Sequence, residues 1–181
     1  MCDERHGSNR KEISKRRMKS NVAGILAVLW MAVIFAFSAQ PKEESSRVSE
    51  EVSESLLNVT GWLFRLNIDE ERVYEIARAL ERFVRKGAHM TEFAILAVLL
   101  YLWIGRWRMP RLRQYVIAVM LALLYAGSDE FHQLFVEGRA GLLSDVLVDG
   151  TGAAVGLALF ILVPLCVRRV LRSAQRICRT H

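Results

Sequence analysis

The sequence predicts an all-α membrane protein with four transmembrane helices and an outer helical segment between the first and second. Two observations carry this. Of 181 residues, 52% are apolar and 24% charged, and the charges gather into blocks between long apolar runs. A soluble domain would disperse them. The blocks that are mainly basic also alternate along the chain with connections that are not, which is how membrane proteins set their orientation.

A helical span needs about 20 predominantly apolar residues. The first candidate runs over residues 22–39 and the second over 86–104. The third has an apolar core at 115–127, too short alone, so it must extend to Phe135 to cross the hydrocarbon. The fourth runs over 145–167, with Gly152 and Gly156 spaced for close helix contact. Before the first span lie Lys15, Arg16, Arg17 and Lys19; between the second and third lie Arg106, Arg108, Arg111 and Arg113; after the fourth lie Arg168, Arg169, Arg172, Arg176 and Arg179. All three segments are expected on the cytoplasmic side, which requires an even number of spans. The chain thus divides into a basic N-terminal segment (1–21), a four-helix membrane domain (22–167) and a basic tail (168–181).

Ala36-Phe37-Ser38 has small residues at cleavage spacing, but the first apolar run exceeds the usual signal-peptide core, so it is read as a span. Cys2, Cys166 and Cys178 form no CxxC, which argues against a disulfide framework or structural zinc. The net charge of +6 is not read as nucleic-acid binding, because the basic residues flank apolar runs. Nothing in the pattern specifies an oligomeric state.

The outer connection, residues 40–85, is expected to be helical. Val48, Val52, Leu56 and Val59 recur at helical spacing. A second helix is expected to start at Asn67, with Asp69, Glu70 and Glu71 in its first turn and a stripe of Val73, Ile76, Leu80 and Phe83. Its expected place is on the membrane surface or over the bundle.

One level of the bundle collects the ionisable residues. The second span opens with Lys86, His89 and Glu92, the last two sharing a face at i, i+3. The third closes with Asp129, Glu130, His132 and Gln133, and the fourth opens with Asp145 and Asp149. Ser38 and Gln40 end the first span at the same depth. A charge at mid-membrane costs about 2.5–3.5 kcal/mol, less near the interface. Five carboxylates therefore need compensation by cations such as Lys86 and Arg139, by protonation, by a bound metal or by a cationic ligand. His and carboxylate at i, i+3 on two helices suit a divalent metal. The same pairs serve as acid–base dyads without one. A salt-bridge network that only fixes packing is the structural alternative.

These motifs resemble the VanZ-like family of bacterial membrane proteins. The matching residues are Ser38-Ala39-Gln40-Pro41, Arg85-Lys86-Gly87-Ala88-His89-Met90-Thr91-Glu92-Phe93 and Ser128-Asp129-Glu130-Phe131-His132-Gln133-Leu134-Phe135, followed by Gly138-Arg139, Asp145-Val146, Asp149 and Gly152. Glu137 stands where Pro is usual before Gly-Arg, and Ala39 where Ser is usual. The family is named for a protein associated with resistance to the lipoglycopeptide teicoplanin. The resemblance implies a role at the cell envelope, in the bacterial cytoplasmic membrane, and supplies no reaction.

Three function classes follow. In an enzyme acting on a lipid-linked envelope substrate, His89 or His132 is the general acid or base, and Glu92, Asp129 and Asp149 orient it or hold a metal. Lys86 and Arg139 then bind a phosphate or carboxylate of the substrate, with Gln40, Glu130, Gln133 and Asp145 around it. The spacing Arg139-x5-Asp145-x3-Asp149 parallels the Arg-x5-His-x3-Asp of membrane lipid phosphatases, with Asp in place of the nucleophilic His. A binding protein holds a lipid or lipoglycopeptide in the same pocket without turnover, or the chain is a structural partner of an envelope complex. A proton-coupled carrier ranks last, since four spans are few and no inverted repeat is visible. No phosphate loop or dinucleotide fingerprint occurs, so no nucleotide cofactor is implied.

Overall fold

The computed structural model describes residues 3–64, 70–107, 109–139 and 141–179. These form five α-helices: α1 (Asp3–Ser38), α2 (Lys42–Phe64), α3 (Glu70–Ile104), α4 (Arg111–Gln133) and α5 (Leu143–Arg179), with a 3-10 turn at Gly105–Trp107 after α3. No strand occurs among the described residues. Three stretches are long and apolar enough to cross a membrane: Arg17–Ser38, Glu71–Trp107 and Leu143–Arg169. Helix α4 falls outside that set; its outer turns carry Asp129 and Glu130.

α3 is the hub, packed against α1, α2, α4 and α5. Small residues set how closely its neighbours approach. On α5, a Cβ at Gly152 would lie 2.5 Å from the Met90 carbonyl oxygen, and one at Gly156 would collide with Ala94. On α4, the fully buried Ala118, Ala122 and Ala126 recur every four residues and form one face. That face continues without a break into Asp129, Glu130 and Gln133, all buried. Helical periodicity alone therefore turns an apolar interior polar in the last turn of α4. α1 meets α3 through Ala23, Ala27 and Ile34, and Trp30 Nε1 donates to the Glu92 carbonyl at 2.9 Å. Tyr115 and Tyr125 donate to the carbonyls of Ala154 and Met31, tying α4 to α5 and α1.

The outer segment differs from expectation in two ways. The helix beyond residue 70 is not a separate element. It continues into the second apolar stretch as a single helix of 35 residues, about 52 Å long at 1.5 Å per residue. A span uses only about 20 of those, so the first part of α3 projects beyond the bundle, with α2 packed beside it. The faces that meet also differ from the apolar stripes, of which only Val73 is buried. Ser49, Ser53, Val73 and Ala77 are buried, while Val48, Val52, Leu56, Val59, Ile76, Leu80 and Phe83 are exposed. Small side chains let the two helices close, and the serines are satisfied along their own helix: Ser53 Oγ donates to the Ser49 carbonyl at 2.7 Å, and Ser49 Oγ to that of Ser45 at 3.0 Å. The expected cap at Asn67 lies outside the described residues.

Candidate functional site

The ends of α1 and α4, the middle of α3 around residues 85–92, the start of α5 and the turn from α4 to α5 meet at one end of the bundle. α4 stops at Gln133, and the turn that follows is shaped by Gly138 in the left-handed region at φ 71°. Only glycine adopts that conformation freely. Lys42, just past α1, closes on this turn: its backbone N–H donates to the Glu137 carbonyl at 3.4 Å. The turn thus forms with Glu137 in place and delivers Arg139 to the cavity.

The cavity measures about 200 Å³. Lys42, Arg85, Lys86 and Arg139 line it together with His89, Glu130, Gln133, Asp145 and Asp149. Lys86 Nζ donates to Asp145 Oδ1 at 2.8 Å, bridging α3 and α5. Arg139 Nε donates to the Gln40 carbonyl at 3.0 Å, so Gln40 acts through its backbone. Arg85 is braced by Glu81 at 2.8 Å and by Ser46 Oγ at 2.9 Å. Glu130 Oε2 accepts the Leu142 N–H at 2.9 Å and so holds the start of α5. Gly141 permits that approach, since a Cβ there would lie 2.5 Å from the Glu130 carbonyl oxygen. Burial pushes the Arg139 guanidinium below its ordinary value and Arg85 adds to this, while Asp129, Glu130 and Glu92 oppose it. It remains protonated, as arginine does in proteins.

Beneath the cations lie two groups of different character, a half-buried pair and a buried carboxylate. His89 Nδ1 is 3.3 Å from Glu92 Oε2, within ion-pair distance but off hydrogen-bond geometry. Asp129 is tied to α1: Ser38 Oγ donates to its Oδ2 at 2.9 Å, and Gln133 Nε2 donates to the same oxygen at 3.0 Å and to Ser38 Oγ at 2.9 Å. Asp129 Oδ1 is buried without a partner among the described residues. Asp149 is only 4% exposed and faces the cavity.

Of the residues singled out in the sequence, Lys86, His89, Glu130, Gln133, Arg139, Asp145 and Asp149 face one cavity, with Glu92 and Asp129 directly behind it. His132 does not face it. Its ring stacks on Phe35 with centroids 4.3 Å apart, on the side of α4 turned to α1. The i, i+3 spacing of Asp129 and His132 was read as one face. A separation of three leaves about 60° between side chains, enough here to send one to the network and the other to Phe35. Sequence reasoning left Ser38 and Lys42 out of the site and counted Arg85 only as a further nearby cation. Ser38 was signalled by its depth at the end of the first span, whereas nothing local marks Lys42. Among the described residues, no group of three His, Cys, Asp or Glu side chains is placed to hold a metal; the carboxylates are spread over separate partners instead.

Residues 23–164 match the family model VanZ/LLP1. The chain belongs to the VanZ/LLP1 family. The matched region takes in the cavity and all four helices of the bundle, and it leaves outside the N-terminal part of α1 and the end of α5. No curated protein matches the chain, and no solved structure does.

Proposed function

We propose that this VanZ/LLP1 protein crosses the membrane four times, with both ends in the cytoplasm, and uses the cavity on its outer side to engage the anionic head group of a lipid-linked envelope amphiphile. α4 supports the fourth crossing. Its 23 residues span about 34 Å, enough for the hydrocarbon, and it packs between α3 and α5.

The observation that carries the reading is the cavity, where four cations stand around half-buried His89, with Glu92 behind it, and buried Asp149. Lys86 and Arg139 offer charge-assisted donors to a phosphate or carboxylate. Glu92, 3.3 Å from Nδ1, stabilises the imidazolium formed when Nε2 accepts a proton from an attacking hydroxyl or water, and the ring then returns that proton to the leaving group. That assignment makes the reaction hydrolysis or transfer on the amphiphile. A second reading, capture without turnover, is favoured by the position of His132 outside the cavity, which leaves one histidine where an acid–base pair would use two.

The chain would be expressed in a glycopeptide-sensitive bacterium and challenged with teicoplanin and with vancomycin, which lacks the acyl tail. Protection against teicoplanin alone supports a site that reads a lipid. Its loss in His89→Gln supports turnover. Its survival in His89→Gln together with loss in Arg139→Ala supports capture. Protection that survives both substitutions would remove the cavity from the function.

A further inference from the structure

A second opening lies at the other end of the bundle. It is a groove of about 810 Å³ between α1 and α4, floored by α3 and almost wholly apolar. α1 and α4 barely touch, and the Tyr125 hydroxyl bonded to the Met31 carbonyl at 2.6 Å closes the groove at its inner limit. From Asn21 to Met31 the groove runs about 15 Å along α1, half the hydrocarbon thickness. Its depth is therefore that of one leaflet. Ile25 and Val28 on its wall are 63% and 66% exposed, so the groove opens sideways to lipid.

Its mouth is polar and cationic. Arg106 Nη1 donates to Asn21 Oδ1 at 3.3 Å, and its guanidinium lies 5.0 Å from the Trp107 ring centroid and 6.0 Å from that of Trp103, which lines the groove. Arg17 and Lys19 stand exposed on the neighbouring turns of α1. Neither residues 13–24 nor 102–114 contain an acid. A monoanionic phosphate at this mouth meets cations without a competing carboxylate, and tryptophan and arginine side chains are at home at head-group level.

We propose that this groove holds an acyl chain of an anionic glycerophospholipid from the leaflet at the basic end of the bundle, with the lipid phosphate on Arg106. The site is separate from the outer cavity, and the proposal stands whether or not that cavity has the role given above.

The test is native mass spectrometry of the full chain after equilibration in detergent with equal amounts of phosphatidylglycerol and phosphatidylcholine. One phosphatidylglycerol should be retained in preference to phosphatidylcholine by about fivefold, the ratio expected from one cation near a head group. Arg106→Gln should lower the ratio toward one, to whatever part the exposed Arg17 and Lys19 retain. Ile25→Phe with Val28→Phe fills the groove from positions that bear no packing load and should abolish retention. Arg139→Ala should leave both readings as they are. Retention and preference unchanged in the two groove variants, or lost only in Arg139→Ala, would overturn the assignment.

Discussion

Ser38→Ala isolates the contribution of the network that joins α1 to the polar end of α4. Ser38 is fully buried. Its hydroxyl donates to Asp129 Oδ2 and accepts from Gln133 Nε2, each at 2.9 Å. Alanine removes both bonds and leaves Asp129 with Gln133 alone, at 3.0 Å. Hydrogen bonds to charged groups contribute about 1.5–3 kcal/mol, and a buried acceptor that loses its donor bears the full desolvation penalty. A loss of about 2 kcal/mol follows, which for a chain of this size lowers the midpoint by about 4–8 °C. The assay is thermal unfolding of the purified protein in detergent, with Ser38→Thr as a control that keeps the hydroxyl. The double variant Ser38→Ala, Asp129→Asn should lose less than the two single changes added together, because the residues share one interaction. A midpoint for Ser38→Ala within about 1 °C of the parent would show that the bond is not a net contributor, and strict additivity would show that the two residues are not coupled.

Two further outcomes follow from the fold. A reporter fused after His181 should be active in the cytoplasm and one inserted near Ser49 outside; activity of both on one side would leave the four-span topology without support. Gly152→Val should lower thermal stability by more than the roughly 1–3 kcal/mol of ordinary overpacking, because the added Cβ meets Met90 backbone rather than a movable side chain; midpoint measurements in which Gly152→Val equals the parent would mean that α3 and α5 are not held at this distance.

How much of this was legible in the sequence varies with the physics behind each feature. Apolar run length is a local property, and the three stretches that qualify as spans coincide with the first, second and fourth runs read from the sequence. The third was the marginal one there as well, for the same reason, since Asp129 and Glu130 occupy its last turns. The gathering of polar residues at one end was visible because the second, third and fourth spans place their ionisable residues, and the first its Ser38 and Gln40, at a similar distance from their basic ends. Helix faces are less local. The stripes at Val48–Val59 and Val73–Phe83 have sound helical periodicity, but which face of a helix is buried depends on its neighbour. Here the neighbour approaches mainly where the side chains are small, at Ser49, Ser53 and Ala77, with Val73 beside them.

Sequence by itself determined the all-helical class, three of the apolar spans, the polar end and the family, because these depend on composition and spacing within single helices. Tertiary structure decided which polar residues meet. It turned His132 onto Phe35, brought Ser38 to Asp129 across 91 positions of chain, and set Lys42 against the turn that carries Arg139. The physical reason is that a hydrogen bond depends on angle and ångström separation. Helical periodicity gives a residue's face only within a range of about 60°, and where two helices come to rest against each other is set by the small residues between them.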